Sequence, residues 1–376
     1  MDIMVRSLAE SKQEMENKLA TETKSRGHLA DRVSWLEFER DALAERVKEL
    51  KQRLPKAVGD VNTCIPALQE FSRKDLQVAT HDFDVKWNNC GHGDEHEHLY
   101  FGKLWDNSLV MVKKMRDVNT QAIHRDKLKS EVVDKLILLR HPQMLIPLGV
   151  CYEDGCLVYE HMAHGTVKDW IACTRQSTWY TRFRLMAEVA RGLCFLHSDP
   201  LGSGGPIIHS AIRPTNIFLD DKFVAKIGDV DLALLDSEPA QVVETTLKEK
   251  KTSRVVANHN SHYVAPEYWE SQVFSEETDI FAFGITLLEM LTGNFTNAFE
   301  VVEDAIEDDN AFENALDPNA GCWDIDLARR VASLGLRCAS YNRRKRPDMA
   351  APNTGILAIL EEVAGNVELA ASREDE

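Results

Sequence analysis

The segment His209-Ser210-Ala211-Ile212-Arg213-Pro214-Thr215-Asn216 is followed by Lys226-Ile227-Gly228-Asp229-Val230-Asp231-Leu232-Ala233 and, further on, by Ala265-Pro266-Glu267. The elements around these segments can be read outward from them. Upstream, Leu109-Val110-Met111-Val112 and Cys156-Leu157-Val158-Tyr159 are short apolar runs that predict strands, with a helical stretch from Lys127 to Leu139 between them. Phe183, Met186, Val189, Ala190, Leu193 and Leu196 recur at helical spacing. Strands come first and helices after, which predicts an α+β chain in two lobes.

The chain has 376 residues, 44% of them hydrophobic, enough for a large core, so general disorder is excluded. Asp plus Glu number 61 against 44 Lys plus Arg, a formal charge of -17 that opposes nucleic acid and anionic lipid surfaces. The eight cysteines form no CxxC pair and read as reduced thiols. The N-terminus shows no signal-peptide core, and Asp2 removes the glycine that myristoylation needs. The longest apolar stretch, Ile280 to Met290, is about half a membrane span and is broken by Gly284, Thr286 and Glu289. Cytoplasmic residence without a membrane span is expected.

Residues 1–54 contain no proline and carry a seam from Val5 to Leu54 in alternating steps of three and four. Eleven of its fifteen positions are apolar; Lys12, Glu22, Arg26 and Arg40 interrupt it. This predicts a coiled coil roughly 75 Å long if fully helical. A single amphipathic helix folded back on the globule is the alternative; the narrow seam favours a partner helix. Residues 55–70, opening with Pro55 and containing Gly59 and Pro66, read as a linker. The acidic stretch Glu303 to Asp309 and the acidic tail, residues 363–376, read as solvated surface.

The three opening segments resemble, in order and spacing, the signatures of the eukaryotic protein-kinase superfamily. Phe71-Ser72-Arg73-Lys74-Asp75-Leu76 with Ala79-Thr80 and Phe83 resembles the opening of plant receptor-like cytoplasmic kinases. Gly155 to Met162, Leu316-Asp317-Pro318 and Arg346-Pro347-Asp348 are similar to their hinge and late C-lobe. The Asp229-Val230 form of the metal motif, behind a coiled coil, looks most like the kinases that accompany plant U-box ubiquitin ligases, although no U-box is seen. The resemblance covers residues 71–362 and implies a bilobal fold, N-lobe 71–160 and C-lobe 161–362. It implies that Lys113 holds nucleotide phosphates, with Glu131 as its partner, and that Asp229 and Asn216 ligate magnesium. Met111, Tyr159, Met162 and Phe218 then surround the adenine of ATP. Glu267 and Arg346 match a pair that closes the C-lobe, and Asp279 matches the residue that holds the catalytic loop.

Phosphoryl transfer is catalysed by positioning and charge neutralisation, so each part can be checked. The position that should carry the carboxylate base is Ala211, whose methyl group accepts no proton; such assistance is worth ~10²–10⁴ in rate. Arg213 keeps a cation in the loop. Ser210 replaces an Arg, leaving a phosphate on Thr245, Thr246 or Thr252 without its usual counter-charge, and Asn260 replaces a Thr. The three glycine positions of the phosphate loop become His92, Asp94 and Glu97. A carboxylate about 5 Å from a phosphate charge costs roughly 3 kcal/mol at an effective dielectric of 20. Met111 and Phe218 are bulkier than the usual residues and are expected to fill the base slot. Asp231 replaces a glycine and adds negative charge beside Asp229. Glu131 lies ten residues before His141, one more than the usual spacing; either the helix carries an insertion or the ion pair is absent.

The run Cys90-Gly91-His92-Gly93-Asp94-Glu95-His96-Glu97-His98 is rich in metal-capable side chains, but structural zinc draws ligands from separated segments, so no zinc site is expected. The expected function is a pseudokinase, with ATP and Mg weak or absent, acting as a coiled-coil-dimerised scaffold or regulator among kinases or ubiquitin ligases. A slow serine/threonine kinase and a U-box ligase relative without its U-box are the alternatives.

Overall fold

The computed structural model describes residues 68–87, 98–115, 128–173, 177–236 and 261–374. They belong to one compact unit, Ala67–Glu376. The expected coiled coil lies outside the described residues.

Five strands form the first sheet: β1 (Gln69–Glu70), β2 (Leu99–Lys103), β3 (Leu109–Lys114), β4 (Pro147–Cys151) and β5 (Cys156–Glu160), in the order β1-β4-β5-β3-β2. All neighbours are antiparallel except β1 with β4. β1 falls inside the stretch read as linker; its two residues, Gln69 and Glu70, are polar and show no apolar strand pattern. The pleat of β3 sends alternate side chains to opposite faces. Val110 and Val112 pack with Phe71, Leu76 and Tyr100, under helix α1 (Arg73–Ala79), which Ser72 and Asp75 begin with a reciprocal capping box. Met111 joins the main core on the other face, the face that also carries Lys113.

After β3, Leu128–Val133 is π-helical and leads into α2 (Asp134–Leu136). A π turn accommodates one residue more than an α turn. The helical part comprises α3 (Val167–Cys173), α4 (Trp179–His197), α6 (Pro266–Ser271), α7 (Glu276–Thr292), α8 (Ala298–Ala305), α9 (Asp309–Ala315), α10 (Ile325–Cys338) and α11 (Ile356–Glu374); the hairpin β6 (Ile217–Leu219) and β7 (Ala225–Ile227) and helix α5 (Val230–Asp236) lie between α4 and α6. The expected strands and the helix over Phe183–Leu196 are therefore present. α11 runs through residue 362, where the sequence reading placed a boundary; Val363 and Ala364 are buried and extend the core past it.

Helix α7 is the buried axis of this part, and α10 packs closely along it: a Cβ on Gly284 would stand 2.7 Å from Ala339 N and Gly335 O. No helix among the described residues is long and apolar enough to cross a membrane. Cys151, Cys156, Cys194, Cys322 and Cys338 are free thiols, as expected. Cys173 is disulfide-bonded, against that expectation; spacing along the chain does not fix which thiols meet in space.

Arg182 of α4 is fully buried and makes four hydrogen bonds. It donates to Ser177 O at 3.0 Å, Met290 O at 2.9 Å and Ser177 Oγ at 2.8 Å, and pairs with Asp317 Oδ2 at 2.5 Å. Arg182→Ala strands the Asp317 carboxylate and is expected to cost about 3–5 kcal/mol. Denaturant unfolding checks this; a loss below about 1 kcal/mol would contradict the assigned role.

Candidate active site

Asp279, in the first turn of α7, is 0% exposed and fixes the loop that carries Ala211. Its carboxylate accepts the backbone N–H of His209 at 2.8 Å and of Ser210 at 2.7 Å, and lies 3.0 Å from His197 Nε2. The second bond holds Ser210 in a left-handed conformation, φ 62°, which a non-glycine residue adopts only when its surroundings enforce it. His209 Nε2 is 2.7 Å from Gly228 O, and its Nδ1 is 3.3 Å from the Ala211 N–H. The proton therefore sits on Nε2, facing the carbonyl, and Nδ1 accepts. Asn216 donates its side-chain amide to Ala211 O at 2.8 Å, and Asn216 O accepts the Gly228 N–H at 2.8 Å. The two loops are thus cross-tied, and the Asn216 amide holds the loop.

Lys113 reaches across from β3. Its ammonium donates to Asp229 Oδ1 at 2.7 Å and to both oxygens of Asp231, at 2.7 and 2.9 Å. The Tyr159 hydroxyl adds a bond to Asp231 Oδ1 at 3.2 Å. Burial alone pulls the Lys113 ammonium down, but the two carboxylates outweigh it and its pKa lies above the usual lysine value. Burial, reinforced by Asp231 and Asp229, pushes the Tyr159 phenol well up, so it stays a donor. Asp231 is therefore a counter-ion for Lys113 and not simply a repulsive neighbour of Asp229. The Glu131 side chain, the expected partner of Lys113, lies outside the described residues.

Trp87 lies against Phe218, the expected floor of the base slot. Trp87 and Phe218 have ring centroids 5.5 Å apart at 53°. A flat base in contact on both faces needs about 7 Å between the two surfaces. Trp87, Met111, Tyr159, Met162 and Phe218 are each at most 3% exposed and lie in one continuous apolar cluster. The Phe218 ring also rests on Gly228, where a Cβ would stand 2.4 Å from Phe218 Cε2. In this arrangement the expected phosphate-binding ammonium and an Asp229 oxygen are bonded to each other, and Trp87 lies against Phe218.

Met111 and Phe218 are both buried in the main core. Trp87 was missed; it sits in a polar stretch with no periodic signal, and only its pairing with β2, Trp87 N to Leu99 O at 3.0 Å, brings it over the cleft. Arg213 is half-buried beside the loop. His92, Asp94 and Glu97, the rest of the Cys90 run before His98, and Thr245, Thr246, Thr252 and Asn260 lie outside the described residues. The C-lobe pair is present: Arg346 binds Glu267 with two bonds, 2.6 and 2.8 Å.

A family profile described as protein tyrosine and serine/threonine kinase matches residues 96–354. The chain is 34% identical to U-box domain-containing protein 52 of Arabidopsis thaliana over 311 residues, covering 81% of this chain and 35% of that protein. It is 31% identical to U-box domain-containing protein 51 of the same plant over 334 residues, 85% and 40% of the two chains. With U-box domain-containing protein 70 of Oryza sativa subsp. japonica the identity is 28% over 364 residues, 93% and 42%. The chain spans well under half the length of these relatives.

Lys113→Met leaves Asp231, 1% exposed at its side chain, without a counter-charge, and is expected to destabilise the protein by about 3–5 kcal/mol. Adding Asp231→Asn should recover most of that loss. A neutral Lys113→Met, or a double variant no better than the single, would disprove the clamp.

Proposed function

The chain belongs to the protein tyrosine and serine/threonine kinase family and is similar to plant U-box domain-containing proteins, and on that premise we propose that it is a pseudokinase, a kinase-shaped scaffold or regulator that transfers no phosphate. The observation that carries this reading is the engagement of Lys113 with Asp229 and Asp231. A nucleotide would have to break that buried network and separate Trp87 from Phe218 before reaching either group. Ala211 removes the base in addition, and its methyl group leaves nothing to orient a substrate hydroxyl. The U-box named in its relatives makes a ubiquitin-ligase setting the proposed context, with kinases or ligases as partners and residues 1–54 as the dimerising coiled coil.

The slow serine/threonine kinase is a second reading. One observation favours it: Lys113 and Asp229 remain in contact at 2.7 Å, so a rearranged cleft would still have both groups at hand.

Thermal unfolding with millimolar magnesium-ATP tests the choice. No shift in the midpoint is expected; a ligand at one hundred times its Kd would add about 2.7 kcal/mol, several degrees in a chain of this size. A clear upward shift, followed by phosphate incorporation that Ala211→Asp raises, would overturn the pseudokinase reading. Sedimentation tests the proposed dimer separately: removal of residues 1–57 should reduce the mass from dimer to monomer, and an unchanged association state would disprove the coiled coil.

A further inference from the structure

Cys151 ends β4 and Cys156 begins β5, and the two are register partners at the end of that antiparallel pair. Val150 O accepts the Phe71 N–H and Gly155 O accepts the Met115 N–H, each at 2.8 Å. A trans peptide points its N–H opposite to its carbonyl, so the N–H groups of Cys151 and Cys156 each face the other strand. Cα atoms in such a hydrogen-bonded pair stand about 5.5 Å apart, inside the roughly 4.4–6.8 Å that a disulfide spans. Both side chains belong to the apolar cluster under α1, with Phe71, Leu76 and Val158, so they share one face of the sheet. Both are free thiols.

The turn between them holds both sulfurs. Cys156 Sγ donates to Asp154 O at 3.7 Å, and Cys151 Sγ accepts the backbone N–H groups of Asp154 and Glu153. Burial pushes both thiols up, Cys156 to about 12, whereas at Cys151 those two N–H groups oppose the rise. Cys151 is therefore the better placed to form a thiolate, the nucleophilic state. Among the described residues no group of three or more Cys, His, Asp or Glu side chains is placed to hold a metal ion, so the chemistry open to the pair is that of two thiols. Both are 0% exposed. Their cover is the turn itself, pinned to the start of α1: the Arg73 N–H donates to Glu153 Oε2 at 2.9 Å, and the Arg73 guanidinium lies 2.7 Å from Asp154 Oδ1.

We propose that Cys151 and Cys156 form a reversible redox site, in which hydrogen peroxide, admitted when the turn pinned by Arg73 opens, oxidises Cys151 and Cys156 converts it to a disulfide. In the first step the Cys151 thiolate attacks one peroxide oxygen. An S–O bond forms, the O–O bond breaks, and the departing hydroxide takes up the proton that Cys151 released, leaving as water. The Cys156 sulfur then attacks the Cys151 sulfur: the S–S bond forms, the S–O bond breaks, and the second hydroxide leaves as water with the Cys156 proton. The two thiols lose two electrons, which the peroxide gains. This site lies outside the pseudokinase reading and does not depend on it.

The test uses the full-length protein, reduced, desalted and exposed to millimolar hydrogen peroxide, then denatured in iodoacetamide and digested with trypsin. Both cysteines fall on one peptide, residues 141–168, with no other cysteine on it. After peroxide, fragments spanning the pair should be lighter by two hydrogens and unalkylated; after dithiothreitol both sulfurs should be alkylated. Cys156→Ala should leave Cys151 as a sulfenic acid that dimedone traps, and Arg73→Ala should speed disulfide formation severalfold. The Arg73 side chain is 54% exposed, so an unchanged thermal midpoint confirms an intact fold in that variant. The wild-type measurement stands by itself should Cys156→Ala fail to fold. Two alkylated sulfurs after peroxide, sulfinic acid at Cys151 in place of the disulfide, pairing of either sulfur with a different cysteine, or a rate indifferent to Arg73→Ala would overturn the proposal.

Discussion

The ammonium of Lys113 is the charge around which the cleft is arranged. A lysine placed among apolar side chains must either lose its proton or bring a counter-charge with it. Here it brings two, Asp229 and Asp231, and the Tyr159 hydroxyl supports the deeper one. These contacts tie β3 of the sheet to the first turn of α5, so the metal-motif loop is held by the strand it faces. They also help maintain Asp229 at φ 59°, a left-handed conformation that costs of order 1–3 kcal/mol without such support.

The parts that preserve shape differ in kind from the parts that would do chemistry. Asp279 holds two backbone amides, Arg346 closes on Glu267, and Arg182 joins α4 to the carbonyl end of α7. None of these bonds requires a nucleotide. Within the cleft, by contrast, a methyl group stands at Ala211, Asp231 occupies the ammonium, and Trp87 lies on Phe218.

Much of the fold was legible because it rests on local pattern. β3 and β5 are apolar runs, α4 shows helical spacing, and the loop segments have fixed order along the chain. What was hidden depends on contacts distant in sequence. Lys113 and Asp231 are 118 positions apart, so a carboxylate beside Asp229 read as repulsion when it is compensation. Trp87 had no pattern to announce it, and the polar residues of β1, Gln69 and Glu70, show no apolar strand pattern.

The short parallel strand Gln69–Glu70 has a mechanical consequence. It lies beside β4, and Phe71 N donates to Val150 O at 2.8 Å while the Phe71 ring fills the space that a side chain at Gly149 would need. Tension applied to the chain ahead of residue 68 therefore enters the sheet directly, loading these few backbone bonds in shear. The aromatic ring acts as a stopper that must be drawn out before the strand can slip, so pulling on the preceding residues strains the same sheet that carries Lys113.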